Sequence, residues 1–171
     1  GVMEDLLAFP QELHLFLGVE VVLHRVDARD HVEGDLFRLL LHLERAPGDL
    51  SMVFFTNGGA EAIENAVRMA KLHTGRQKVL STYRSYHGAT AGAISLTGDP
   101  RRWPSEPALP GVVHFWVPYP YRSAFNATSP EQETERALQH LADTLMVEGP
   151  QTVAAIILEP VQGEGGFYIN S

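Results

Sequence analysis

Apolar and polar positions follow two different periods along the chain from residue 51 onward. Short apolar runs predict strands, and longer segments in which apolar residues recur every three or four positions predict helices. The predicted strands are residues 52–55, 78–82, 112–116 and 152–158, and the predicted helices are residues 60–73, residues 88–96 and a long segment that begins at residue 130. Strands that alternate with helices indicate an α/β fold: a mostly parallel sheet with flanking helices and right-handed crossovers.

Local signals mark the ends of two of these helices. The helix over 60–73 meets Gly75, which is suited to a left-handed helix end, and its Glu64 and Arg68 are spaced for an i,i+4 ion pair. Before the last helix, a potential N-cap, a first-turn proline and a capping-box glutamine follow one another at Ser129, Pro130 and Gln132. That helix then places four apolar residues on one face: Leu138, Leu141, Ala142 and Leu145.

The first fifty residues carry weaker patterns. Residues 18–24 are predicted to form a strand, and residues 36–45 a leucine-rich helix. We therefore separate a divergent N-terminal segment, residues 1–35, from residues 36–171, which read as part of a larger domain.

Composition and charge exclude several classes of function. The net charge of −8 argues against nucleic acid and anionic membranes as partners, because both attract basic surfaces. The 171 residues contain no cysteine, which excludes disulfides, thiolate metal sites and cysteine nucleophiles. No apolar run reaches the length of a membrane span, and residues 1–10 lack the basic start of a signal peptide, so we expect a cytoplasmic location.

A glycine pair lies between the first predicted strand and its helix, at Gly58 and Gly59, and Ala60 follows it. At such a turn the backbone N–H groups lie at the positive end of the helix dipole and can hold a phosphate. The pattern lacks the lysine of a P-loop and the spacing of a dinucleotide site. A small phosphorylated cofactor therefore suits it better than a nucleotide, although a tight turn alone would also need glycine.

Two more motifs follow predicted strands, at the sheet edge where α/β proteins bind ligands. Tyr86, before His87 and Gly88, could stack on a flat heteroaromatic ring or simply pack over the sheet. Glu159 and Glu164 lie in a turn rich in proline and glycine, where carboxylates can orient a cationic group or remain solvated. The eight histidines show no metal-binding spacing, and no nucleophile elbow occurs, so we predict neither a metal site nor serine hydrolase chemistry.

In this order, the motifs resemble the class III pyridoxal-phosphate-dependent aminotransferases, which have the aspartate aminotransferase-like fold. The resemblance extends from about residue 36 to residue 166 and is carried by residues 54–62, 86–90 and 159–166. It implies pyridoxal 5'-phosphate as the cofactor and transfer of an amino group between an amine or amino acid and a keto acid. It also implies a homodimer for full-length members, and makes residues 36–171 a partial cofactor-binding large domain.

The resemblance implies a role for each residue of the first two motifs. Gly58, Gly59 and Ala60 would bind the cofactor phosphate, with Gly58 at a position where the family commonly has serine. Tyr86 would stack on the pyridine ring, with His87 beside it.

The third motif brings both a role and a departure from the family. Glu159 would brace the carboxylate that binds the ring, and Glu164 would be the acidic partner of a substrate-gating arginine that family members carry later in the chain. Family members also hold the cofactor as a Schiff base on a lysine beyond this motif. The sequence has only Lys71 and Lys78, and neither matches that position. We therefore predict that this chain contains no catalytic lysine and does not transaminate alone.

Two alternatives stay open at this point. The same motifs suit other class III chemistry, such as that of an aminomutase or epimerase. Without its lysine, the chain could also be a non-catalytic fragment or remnant that acts as a binding module.

Overall fold

The computed structural model describes residues 54–169 of the 171-residue chain, and backbone only for residues 168 and 169. The predicted strand at 18–24, the predicted helix at 36–45 and the boundary after residue 35 lie outside the described residues. Of the predicted strand 52–55, only Phe54 and Phe55 are described, and they are not in a strand. Both are exposed and lead directly into the glycine turn.

Within the described residues, three parallel strands form one sheet: β1 (Lys78–Thr82), β2 (Val112–Phe115) and β3 (Val153–Ile157). Their order is β2-β1-β3, so β1 is central. The α/β prediction is confirmed, and the strands end within one residue of the predicted bounds. A two-residue antiparallel pair, β4 (Val161–Gln162) with β5 (Tyr168–Ile169), follows β3.

Three α-helices of the described region flank this sheet: α1 (Gly59–Thr74), α2 (Ala91–Leu96) and α3 (Pro130–Glu148). As predicted, α1 ends at Gly75, which adopts the left-handed conformation with φ 68° and donates its N–H to Lys71 O. Helix α2 starts three residues later than predicted. Gly88 has φ +134° and Thr90 is extended, so neither has a helical backbone.

The predicted start of α3 is also observed. Ser129 caps the helix by accepting a hydrogen bond from the Gln132 N–H at 3.2 Å. The Gln132 side chain reaches back to the N–H of Thr128 at 2.9 Å, one residue before the position expected of a capping box.

The core lies between α3 and the sheet and contains Leu80, Phe115, Val117, Leu145 and Val153. On the predicted apolar face of α3, Ala142 and Leu145 are buried, whereas Leu138 and Leu141 are half-buried. One carboxylate also lies inside: Glu133 is fully buried and accepts a hydrogen bond from the N–H of Tyr119 at 2.8 Å.

The predicted ion pair between Glu64 and Arg68 is wrong. Glu64 instead reaches across to the start of α2. Its Oε1 accepts hydrogen bonds from Thr90 Oγ1 at 2.7 Å, Gly92 N at 2.7 Å and Ala93 N at 3.2 Å. Three donors at a helix N-terminus stabilise a carboxylate better than one exposed cation on the same helix does.

The short turn after β3 is attached to β1 by Gln162. Its buried Nε2 donates to Thr82 Oγ1 at 3.2 Å, at the carboxyl end of β1. Among residues 54–169, no helix has both the length and the apolarity needed to cross a bilayer.

Candidate functional site

The glycine turn is the N-terminus of α1. Gly58 is the N-cap residue and is extended, with φ −169°, and no side chain caps the turn. Glu61 instead binds the N–H of Asn57 at 2.9 Å. The first N–H groups of a helix have no intrahelical acceptor. Those of Gly59 and Ala60 therefore remain available at the positive end of α1, which is what an anionic phosphate requires.

Gly88 brings the second motif into contact with this turn. A Cβ at Gly88 would lie 2.6 Å from the Ala60 Cβ, a distance that real Cβ atoms essentially never show, and a tight 3.1 Å from the Ala93 Cβ. The glycine is therefore required by close packing as well as by its φ of +134°. The segment that carries Tyr86 thus lies directly against the glycine turn.

Tyr86 is half-buried and joins the second motif to the third. Its N–H donates to Glu159 Oε1 at 3.1 Å. Burial raises the pKa of the Glu159 carboxyl, and hydrogen bonds from Tyr86 and Gly163 oppose that rise. The structure therefore brings Tyr86 and Glu159 together across 73 residues of sequence.

Glu164 has a partner that the sequence did not indicate. Arg101 Nη2 lies 2.8 Å from Glu164 Oε2, and the Arg101 guanidinium lies 4.1 Å from the centroid of the Tyr86 ring. Nothing in the sequence around Arg101 signals a partner 63 positions later.

The side chain of His87 lies in the core, against β1. His87 is buried, its Nε2 lies 3.2 Å from Ser81 Oγ on β1, and its N–H donates to Thr97 Oγ1 at 3.1 Å. Burial, together with the nearby His114, lowers its pKa to about 4. In these contacts His87 is a neutral core residue that supports the loop, and its predicted cofactor contact stays untested.

Neither lysine lies near the glycine turn. Lys78 is the first residue of β1, at the amino end of that strand, and its Nζ pairs with Glu148 Oε2 at 2.7 Å. Lys71 is twelve residues after Gly59 on α1, about 18 Å along the axis at 1.5 Å per residue. Among residues 54–169, the site contains uncapped backbone N–H groups, an aromatic ring and carboxylates, but no amine.

Comparison with known proteins identifies this arrangement. The class III aminotransferase family model matches residues 27–171. A probable aminotransferase of Mycobacterium tuberculosis is 45% identical over an alignment of 130 residues, and the match covers 71% of this chain and 27% of that protein. A probable 4-aminobutyrate aminotransferase of Bacillus subtilis is 39% identical over an alignment of 130 residues, and the match covers 74% of this chain and 30% of that protein.

Solved structures agree with these relatives. An omega-aminotransferase from Paracoccus denitrificans has a TM-score of 0.75 at 27% identity, and the match covers 99% of this chain and 37% of that one. A PMP-bound aminotransferase from Vibrio fluvialis has a TM-score of 0.74 at 29% identity, with the same coverage of 99% and 37%. The chain thus spans between a quarter and two fifths of the length of these proteins.

Class III aminotransferases use pyridoxal 5'-phosphate, and an aminotransferase from Vibrio fluvialis has been solved with that cofactor bound. The predicted fold and the sequence resemblance agree with the family match, the relatives and the structural neighbours. The chain belongs to the class III aminotransferase family.

Proposed function

We propose that this chain provides the phosphate-binding turn and the ring platform of a pyridoxal-phosphate-dependent aminotransferase. The observation that carries the proposal is the contact of Gly88 with Ala60, because it brings the segment that contains Tyr86 to the uncapped turn of α1. The full-length protein would exchange an amino group between an amine or amino acid and a keto acid. When bound, pyridoxal phosphate supplies the electron sink for that exchange, and the protein orients it.

Each residue at the turn has a role that its position supports. The N–H groups of Gly58, Gly59 and Ala60 would hold the phosphate, helped by the α1 dipole. Tyr86 would hold the pyridine ring by stacking. His87 would support the loop that carries Tyr86 from the core, where its ring is neutral and bound to Ser81.

The carboxylates would set the charge around the ring. Glu159 accepts the Tyr86 N–H and so fixes the backbone beneath the ring, and it would brace the group that binds the ring nitrogen. Glu164, which pairs with Arg101 in this structure, would in the full-length protein be the acidic partner of the substrate-gating arginine that family members carry later in the chain.

The test is the equilibrium binding of pyridoxal phosphate to the purified chain, measured by quenching of protein fluorescence. Gly59→Pro removes one N–H donor at the first helical position, where proline is tolerated. Gly59→Ala is the matched control, because it adds a side chain and keeps the donor. We expect Gly59→Pro to weaken pyridoxal phosphate binding by about tenfold, the loss of one hydrogen bond to a charged group.

Pyridoxal, which lacks the phosphate, distinguishes the turn from the ring platform. We expect it to bind weakly and equally to both variants. Equal affinity of the wild-type chain for pyridoxal and pyridoxal phosphate, or no binding of either, would contradict the proposal.

We further propose that this chain does not catalyse transamination by itself, because Lys71 and Lys78 lie away from the turn. Borohydride reduction in the presence of pyridoxal phosphate, followed by peptide mass spectrometry, tests this. We expect no stoichiometric pyridoxyl adduct at either lysine. A single adduct in full yield at Lys71 or Lys78 would show that the chain has its own anchoring amine.

For the full-length protein we propose a homodimer located in the cytoplasm. The dimer is supported by the family, and the location is compatible with the lack of cysteine in these 171 residues. Sedimentation of the full-length protein and fractionation of the source cells test these two proposals separately.

A further inference from the structure

Arg101 contacts two parts of the proposed site at once. Its guanidinium lies 4.1 Å from the centroid of the Tyr86 ring, within range of a cation–π interaction. Its Nη2 lies 2.8 Å from Glu164 Oε2, in the turn after β3. The side chain therefore links the ring platform to the segment that follows the third motif.

Asp99 fixes Arg101 in this orientation. The same carboxylate oxygen, Oδ1, accepts hydrogen bonds from the backbone N–H of Arg101 at 2.9 Å and from its Nε at 2.7 Å. These hydrogen bonds lower the pKa of Asp99, so the acid stays ionised. A guanidinium that is held along its edges by Asp99 and Glu164 keeps its flat face available for the ring.

The charges around Tyr86 give Arg101 a second effect. Three carboxylates contact Tyr86 or Arg101: Glu159 accepts the Tyr86 N–H, and Asp99 and Glu164 bind the guanidinium of Arg101. Arg101 pairs with Asp99 and Glu164. Without it, these two negative charges would remain uncompensated near an anionic ligand and would disfavour its binding.

We propose that Arg101 is a positioning residue of the cofactor site: it holds the Tyr86 ring at its angle and tethers residues 159–166 to that ring. The proposal rests on the proposed function for its ligand. It differs from that function because Arg101 acts through Tyr86 and Glu164, without a direct part in the chemistry.

Arg101→Gln is the test variant and Arg102→Gln is its matched control. Arg102 is the next residue and carries the same charge, but it pairs with Glu106 at 3.2 Å, and its guanidinium lies 5.9 Å from the ring of Tyr83. We expect Arg101→Gln to weaken pyridoxal phosphate binding about two- to fivefold relative to Arg102→Gln, the range of an exposed cation–π contact. Arg101→Lys keeps the charge and loses the planar stack, so its affinity should be intermediate.

Inorganic phosphate separates ring positioning from a general change in charge. It uses only the turn, so we expect Arg101→Gln to lose less affinity for it than for pyridoxal phosphate, because only the charge of Arg101 then matters. If Arg101→Gln loses affinity for phosphate as much as for pyridoxal phosphate, the residue acts by charge alone and the positioning role is overturned. Unchanged or tighter pyridoxal phosphate binding by Arg101→Gln also overturns it.

Hydrogen exchange without ligand tests the tether independently of the cofactor. We expect amides within residues 159–166 to exchange several times faster in Arg101→Gln than in the wild type or Arg102→Gln. Adding Glu164→Gln to Arg101→Gln should produce no further acceleration, because both changes remove the same contact. Equal exchange in Arg101→Gln and wild type overturns the tether.

The two proposals fail in different ways. If the wild-type chain does not bind pyridoxal phosphate, the proposed function fails, and the role of Arg101 toward the cofactor fails with it. Faster exchange in Arg101→Gln would then still support the tether between Arg101 and Glu164.

Discussion

At the residue scale, His87 combines deep burial with a titratable ring. It is 9% exposed, and burial is the main cause of its pKa of about 4. In the unfolded chain the ring titrates near its ordinary value of 6.5. The neutral ring therefore contributes stability above pH 6.5, and this contribution is lost as the pH falls from 6.5 towards 4.

We expect the free energy of unfolding to fall by up to about 3 kcal/mol over that interval, and His87→Gln to remove most of this slope. Urea denaturation at several pH values measures it. His73→Gln, at an exposed histidine near the end of α1, should keep the wild-type slope. A slope that survives in His87→Gln would show that another group causes it.

At the scale of elements, Glu64 lies on α1 but binds the N-terminus of a different helix, α2. Helix α2 has only six residues, too few to be stable alone, and Glu64 of α1 accepts three hydrogen bonds at its start. Burial tends to raise the pKa of Glu64, but these hydrogen bonds outweigh it and the pKa is lowered. This stabilisation is therefore present above pH 4.5 and is lost below it.

We expect Glu64→Ala to lower the free energy of unfolding at pH 7 by about 2 kcal/mol, the loss of a helix cap with several partners. Glu64→Gln should lower it less, because its amide oxygen can still accept. Chemical denaturation measures both changes. Glu135→Ala, at an exposed acid on α3, is the control, and an equal effect there would contradict the capping role.

The second prediction at this scale concerns the contact between Gly88 and the start of α1. Gly88→Ala would place its Cβ against Ala60 and force an L-residue to φ +134°. We expect it to destabilise the chain by more than 1 kcal/mol and to weaken pyridoxal phosphate binding, because the Tyr86 segment must move from the turn.

Gly163→Ala is the matched control, since no atom lies within 4 Å of the added Cβ. Combining Gly88→Ala with Ala60→Gly should recover only part of the loss, because the backbone strain remains. Wild-type stability and affinity in Gly88→Ala would show that the close packing is not required. Denaturation and the fluorescence titration provide the two measurements.

At the scale of the whole molecule, the described part of the chain exposes large apolar side chains. Phe167 is 85% exposed and has φ 55°, Leu158 is 48% exposed, and Phe54 is 65% exposed. Strand β3 pairs only with β1 within residues 54–169, so its other edge is open there. Exposed apolar residues and open strand edges favour association.

We expect the 171-residue chain to associate as its concentration rises, as seen by sedimentation velocity. Phe167→Asn should reduce this association, because it removes an exposed ring and asparagine tolerates positive φ. Val147→Ser, at an equally exposed site on α3, tests whether the removal of any exposed apolar side chain reduces association to the same extent. A chain that stays monomeric at all concentrations would contradict the prediction.

The sequence predicted those features of the fold that depend on residues close together in the chain. The bounds of β1, the end of α1 at Gly75 and the cap at Ser129 follow from residues a few positions apart, and all three are observed. The partner of Glu64 was predicted wrongly because its donors lie 26 to 29 positions away, beyond any periodic pattern.

For the candidate site, the sequence by itself determined the ingredients: a glycine turn before a helix, an aromatic residue after a strand, and two glutamates in a turn. It also determined that lysines occur only at positions 71 and 78. These are properties of composition and local order, which a sequence displays directly. The family could therefore be inferred before any contact was known.

Only the tertiary structure decided how those ingredients meet. It packed Gly88 on Ala60, turned His87 into the core and brought Arg101 to both Tyr86 and Glu164. The contact between Arg101 and Glu164 depends on the parallel order β2-β1-β3, which brings the segments that follow β1 and β3 to the same edge of the sheet. Local propensities determine where strands and helices form, but the burial of their shared core determines which loops become neighbours.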